Sequence, residues 1–256
     1  MGLFDKKYCD ICGEKIGLLG NRKLEDGNLC KDCAKQLSPW FSDRRRSTVE
    51  DIKRQLAYRE ENRGRASQFR TTRSYGEDCK ILLDEEHRWF TVTRARDLAD
   101  ANPDILDYTA LTGCRVDIDE SRTEQKREGP DGKEVSYNPP RYEYSYDFYI
   151  TIFVNNPYFD EMRFQLNSGS VDITPPPALR PGMAGGYNPE TNVEYRSCKR
   201  LGEEIRQALT QVRRDVREKI EQAAAPKTAV TCPYCGATTT PDASGCCEYC
   251  GSAIGG

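Results

Sequence analysis

Histidine is almost missing from this sequence: of 256 residues only His87 is one, and it sits beside Glu85 and Glu86 in an expected turn. Near-neutral acid–base chemistry leans on histidine more than on any other side chain. His87 therefore reads as an exposed turn residue. Neither a G-x-x-x-x-G-K-[ST] phosphate loop nor a G-x-S-x-G elbow occurs, so two common catalytic frames are excluded. Long apolar runs are missing too, and no stretch approaches the ~20 residues that cross a bilayer. The start Met1-Gly2-Leu3-Phe4-Asp5-Lys6 has no signal-peptide core, and Lys6 stands where a myristoylation motif wants Ser or Thr. The expectation is a cytoplasmic chain. Charge of one sign is likewise lacking: charged residues make up 31% of the chain, yet the net charge is −3. That balance describes a mixed soluble surface, not an overall basic nucleic-acid binder. No enzyme and no small-molecule substrate are expected.

Cysteine is abundant, with twelve residues, eight of them in two paired sets. Cys9-Asp-Ile-Cys12 joins Cys30-Lys-Asp-Cys33 near one end, and Cys232-Pro-Tyr-Cys235 joins Cys247-Glu-Tyr-Cys250 near the other. Zinc takes four thiolates in a tetrahedron, and each C-x-x-C turn supplies two. Iron is the main alternative for four thiolates. Gly13, Gly236 and Gly251 each follow a pair, where a positive φ would aim amides at sulfur without strain. In a reducing compartment metal is a better reading than disulfides. Cys79, Cys114 and Cys198 read as small buried or incidental residues. Cys246 adjoins Cys247 and competes with it as third ligand; Cys247 continues the knuckle pattern and is preferred.

The chain divides into four expected segments. Residues 1–42 form the first zinc module: a knuckle, a hairpin turning at Asp26-Gly27, and a helical turn from Cys33 to Leu37, in treble-clef order. Some 30 residues bury too little apolar surface to fold alone, whereas a structural zinc supplies on the order of 10 kcal/mol. Residues 43–74 read as a basic helical linker. Ser47 and Glu50 suggest its capping box, with Val49, Ile52 and Leu56 on one face. From Asp43 to Arg73 ten Lys/Arg meet five Asp/Glu, a net of +5. Arg44-Arg45-Arg46 is the densest run, either a solvated face or a phosphate-binding surface.

Residues 75–225 read as antiparallel strands followed by one long helix. Lys80–Asp84 and Arg88–Val92 flank a turn, and Cys114, Val116 and Ile118 alternate with polar neighbours. Tyr142 to Val154 alternates throughout, and Met162, Phe164 and Leu166 resume the pattern after Asn155-Asn156-Pro157. Gly129–Lys133 marks a polar hairpin tip. After a Pro/Gly-rich loop, Thr191 and Glu194 suggest a capping box. The stripe Leu201, Ile205, Leu209, Val212, Val216, Ile220 then suits packing across a sheet, or a coiled-coil dimer. Residues 226–256 hold the second zinc module.

On Cys9-Asp-Ile-Cys12-Gly13, Leu24-Glu25-Asp26-Gly27 and Cys30-Lys-Asp-Cys33, the start of the chain resembles a bacterial N-terminal four-cysteine domain of uncharacterised function. On Lys80–Asp84, Asp107–Gly113, Tyr142–Val154 and the 192–224 helix, the middle is similar to bacterial pleckstrin-homology-like domains. That resemblance implies a bent antiparallel sheet capped by a C-terminal helix, hence an α+β fold flanked by two small zinc modules. The end resembles short zinc ribbons. Together the resemblances imply an adaptor that docks protein partners or a membrane surface. The competing expectation is a nucleic-acid binder that uses the zinc modules and the Arg44–Arg73 stretch.

Overall fold

Two tight hairpins open the chain, because the Cys9–Cys12 turn and the Asp26-Gly27 turn each reverse the backbone within a few residues. β1 (Lys7–Tyr8) pairs with β2 (Lys15–Ile16), and β3 (Arg22–Lys23) with β4 (Asn28–Leu29), ahead of α1 (Lys31–Lys35). The computed structural model describes residues 6–176, 187–224, 229–242 and 244–254. Most of the expected Pro/Gly-rich loop and of the linker before the second module lies outside them. What is described is a mixed α+β architecture: antiparallel sheets, a long late helix, and a cysteine cluster towards each end. The chain separates into two compact units, Met1–Arg213 and Arg214–Gly256.

A 3-10 turn, Asp43–Arg46, precedes α2 (Val49–Gln68). Thr48 and Asp51 form the capping box of α2, one residue beyond the expected Ser47 and Glu50. Ser47 is otherwise engaged: its hydroxyl donates to the Asp43 carbonyl (3.0 Å), and its own carbonyl accepts from Glu25 N–H (3.0 Å). Ile52 is buried in the first core with Leu24, Leu29 and Leu37, and Val49 and Leu56 pack against it. Further along, the buried face of α2 turns polar, with Gln55, Arg59 and Asn62. Asn62 donates to Pro103 O (2.6 Å) and accepts from Ile105 N–H (2.9 Å). The Arg59 guanidinium meets Asp104 at 2.9 Å, and Ser38 Oγ donates to the other Asp104 oxygen at 2.8 Å. α2 thus binds the cysteine hairpins to the segment following α3 (Leu98–Ala101).

The strands expected as one bent sheet pair as two four-stranded antiparallel sheets. The first runs β5 (Arg73–Tyr75), β6 (Lys80–Asp84), β7 (Trp89–Thr93), β8 (Leu106–Asp107) in order. A 3-10 turn at Tyr108–Ala110 separates it from the second. There β10 (Glu134–Val154) pairs with β9 (Leu111–Glu128) on one edge, and with β11 (Glu161–Gln165) and β12 (Val171–Ile173) on the other. The ladder between β9 and β10 is interrupted between Ser136 and Arg141, where Pro139 and Pro140 have no N–H to donate. Between β11 and β12, Asn167 replaces the missing ladder: its Oδ1 accepts from Phe148 N–H (2.8 Å) and its Nδ2 donates to Tyr146 O (3.2 Å).

Tyr146, Phe148, Ile150, Ile152 and Val154 are buried, as the alternation requires. The first turns of α4 (Val193–Ala224) lie on this sheet. Tyr195 sets its ring edge-on to Tyr146 and Phe148, at 4.9 and 5.1 Å. At Gly202 the approach is so close that an added Cβ would come within 2.9 Å of Val116 Cγ1. Ile205, Leu209, Val212 and Val216 are buried, while Ile220 is exposed. The cap is Asn192, whose Oδ1 accepts from Tyr195 N–H at 2.9 Å, rather than Thr191 with Glu194. Thr191 instead directs its hydroxyl back to Asn188 O at 2.9 Å.

Beyond α4, β13 (Val230–Thr231) pairs with β14 (Thr238–Thr239) around the third C-x-x-C turn. No helix among the described residues is long and apolar enough to cross a membrane.

Candidate metal centres

Three of the four C-x-x-C turns share one backbone geometry. Gly13, Gly236 and Gly251 donate back to the carbonyls of Cys9, Cys232 and Cys247, each at 2.8 Å. All three glycines adopt positive φ, at 75°, 74° and 72°, where a side chain would be strained. The amides of Cys9, Cys232 and Cys247 close the small loops on the carbonyls of Glu14, Ala237 and Ser252. Cys30, the remaining first partner of a pair, is the N-cap of α1, and its sulfur accepts from Cys33 N–H at 3.3 Å. Cys30 N–H in turn donates to Cys9 Sγ at 3.3 Å, a donor that stabilises thiolate character.

These turns bring Cys9, Cys12, Cys30 and Cys33 together, and likewise Cys232, Cys235, Cys247 and Cys250; within each set all sulfurs lie within 4.8 Å of one another. Cys12 and Cys30 Sγ are 3.7 Å apart, Cys232 and Cys250 3.6 Å, Cys235 and Cys247 3.7 Å. A tetrahedron of ~2.3 Å metal–sulfur bonds places its sulfurs about 3.8 Å apart. The donor sets therefore fit a four-thiolate ion. Four thiols at such range cannot all ionise without a cation to balance them. Burial pushes the Cys9 thiol up, but the amides of Cys12, Cys30 and Ile11 outweigh it and bring Cys9 down to about 6. Burial and the neighbouring sulfurs push Cys33 the other way.

Cys247, not Cys246, enters the second set. Adjacent residues of extended backbone face opposite ways: Cys247 is 1% exposed among the sulfurs, whereas Cys246 bridges to Ala253 and turns its sulfur toward Ser244 O at 3.8 Å. Cys79 is buried, Cys114 and Cys198 are half-buried, and none of the three joins a metal-ligating group among the described residues.

The three arginines singled out by the sequence take different roles. Arg44 Nη1 donates to Lys23 O at 2.9 Å. Arg46 faces Asp43 at 3.9 Å, both exposed. Arg45 lines an open cleft of about 620 Å³ with Arg44, Arg22, Lys23 and Glu25. Sequence reading missed Arg22 and Lys23 because two hairpin cations carry no pattern until the fold sets them against residue 45. His87 is exposed in its turn, stacked on Trp89 with ring centroids 4.7 Å apart, and its Nδ1 lies 2.8 Å from buried Asp84.

Residues 7–55 match the family model described as Domain of unknown function (DUF4428), a stretch that contains the whole first cysteine set. No curated protein and no solved structure matches the chain.

Proposed function

We propose that the chain is a non-enzymatic docking protein, in which two zinc ions hold small modules folded so that they can present side chains to a partner. The observation that carries this reading is the completeness of both sulfur sets: four thiolates satisfy a tetrahedral ion and leave no position for a reacting water. Zinc is the ion expected, because it accepts closed thiolate sets as structural sites and undergoes no redox change. The setting is cytoplasmic, where thiols stay reduced. The second module supports a protein partner. Tyr234 and Tyr249 occupy the same place in their respective knuckles and are 72% and 73% exposed, and exposed tyrosines are favoured in protein interfaces. The middle of the chain contributes a pleckstrin-homology-like platform, a reading supported by its antiparallel strands and the helix that follows them.

Metal analysis of purified protein should return about two zinc per chain. Cys9→Ser and Cys232→Ser should each remove one. Capture of a cytosolic protein should be lost on chelation and weakened by Tyr234→Ala with Tyr249→Ala. A preparation with one metal, an iron-coloured preparation, or capture indifferent to chelator would overturn the reading.

Nucleic-acid binding is the second reading, supported by the convergence of Arg22, Lys23, Arg44 and Arg45 on one cleft. It requires binding that falls steeply with added salt, whereas apolar docking does not.

A further inference from the structure

The turn Gly17–Gly20 closes through Gly20 N–H to Gly17 O at 2.9 Å, and at its tip Leu18 and Leu19 are 91% and 82% exposed. Two adjacent leucines almost wholly in water are unfavourable unless something covers them. Three residues on, Arg22 and Lys23 begin the cleft that Arg44 and Arg45 complete. None of these four cations lies within ion-pair distance of a carboxylate among the described residues, whereas neighbouring Arg46 faces Asp43. Arg44 sits there against burial and the repulsion of Arg22 and Arg45, which lower its pKa. Glu25 lines the same cleft without pairing to any of the four, so four cations against one carboxylate leave a net of +3. An apolar tip beside that excess matches the boundary of an anionic bilayer, with acyl chains below and phosphates at headgroup depth. A nucleic-acid duplex would take the cations but leave the leucines in water.

We propose that this turn docks the chain peripherally on anionic membranes, Leu18 and Leu19 entering the acyl boundary while Arg22, Lys23 and Arg45 meet headgroup phosphates. Two weak signals, apolar insertion and charge, are combined, as more than marginal membrane association requires. The proposal deepens the docking reading by naming the surface met by the first module, and it rests on that reading for a metal-folded module.

The test uses the full-length, zinc-loaded protein and sedimentation with phosphatidylcholine vesicles, with or without phosphatidylserine. Retention is expected only with phosphatidylserine and should weaken as salt is added. Leu18→Ser with Leu19→Ser should lower partitioning on the order of a hundredfold, about tenfold for each side chain. Lys23→Ala and Arg45→Ala should each lower it about fivefold. Zinc content and thermal melting of all variants should equal the parent's, because the altered side chains are exposed; if the double leucine variant melts early, Leu18→Ser alone carries the test. Folded parent that is not retained by anionic vesicles overturns the proposal, as does retention indifferent to the leucines. Binding of duplex DNA or RNA that survives the leucine changes, without vesicle binding, assigns the cleft to nucleic acid instead. Partner capture through Tyr234 and Tyr249 is scored separately, so failure here leaves that result standing.

Discussion

Asp104 has a side chain with no accessible surface, and the counter-charge it meets, Arg59, is itself only 9% exposed. Removing one member of such a pair leaves the other charge buried and unbalanced, which costs about 3–5 kcal/mol. Asp104→Ala should lower unfolding free energy by that amount in a denaturant titration, while an exposed pair such as Arg63 with Glu60 should be nearly silent. Burial pushes the Asp104 carboxyl above its ordinary range, and Arg59 and Ser38 only partly restore it. Its contribution is therefore greatest in acid and declines as pH rises through the folded value. Asp84 behaves oppositely. Burial raises it, but the amides of His87 and Arg70 and the His87 imidazole outweigh burial and hold it below the usual carboxylate range. Stability from Asp84 is full above that range and is lost as pH falls through the depressed value. Asp84→Asn should weaken the protein at neutral pH by about 1–3 kcal/mol. Its unfolding free energy should also fall less steeply than the parent's on acidification.

Two helical glycines distinguish propensity from packing. Gly64 on α2 is exposed, and an added Cβ would meet nothing within 4 Å; Gly202 on α4 would bring its Cβ within 2.9 Å of a stiff valine. Gly64→Ala should raise stability by about 0.5–1 kcal/mol. Gly202→Ala should cancel that gain or reverse it by about 1 kcal/mol, since overpacking against Val116 costs about 1–3 kcal/mol. Parallel thermal melts of the two variants would show the difference directly. Elements with a clean period were legible from residues alone. Of the Tyr142–Val154 alternation, Tyr146, Phe148, Ile150, Ile152 and Val154 are buried while Tyr142 and Tyr144 are half-buried. Of the Leu201–Ile220 stripe, Ile205, Leu209, Val212 and Val216 are buried, Leu201 is half-buried and Ile220 is exposed. The C-x-x-C spacing predicts both sulfur sets. Helix starts were displaced by one residue where neighbouring hydroxyls had a better acceptor, as Ser47 and Thr191 do. The polar face of α2 was not legible. Arg59 and Asp104 are 45 residues apart, and nothing local distinguishes a buried arginine from its solvated neighbours.

At the scale of the molecule, the first cysteine set is not an appendage. Ile52 of α2 belongs to the core around Cys9 and Cys33, and ten residues on, Asn62 holds Pro103 and Ile105. Phe41 and Tyr58 also set their rings against Tyr158, at 6.4 and 5.1 Å. Removing metal from the first site should therefore lower the melting temperature of the sheets as well as melt the hairpins. Cys9→Ser followed by hydrogen exchange is the measurement: protection should fall in β6 and β7 in addition to residues 7–37. The Cys232→Ser variant should leave those strands as protected as in the parent.

Asn167 makes the spacing along one edge of β10 depend on a single carboxamide. With it in place, Val171 meets Tyr146 from the buried side. Shortening the excursion by one residue, at Ser168 for instance, would offset β12 against its neighbour and turn valine to water and aspartate inward. A graft or affinity tag consequently belongs at the far hairpin, between Asp131 and Gly132, where the chain reverses in solvent and no reckoning of register depends on its length.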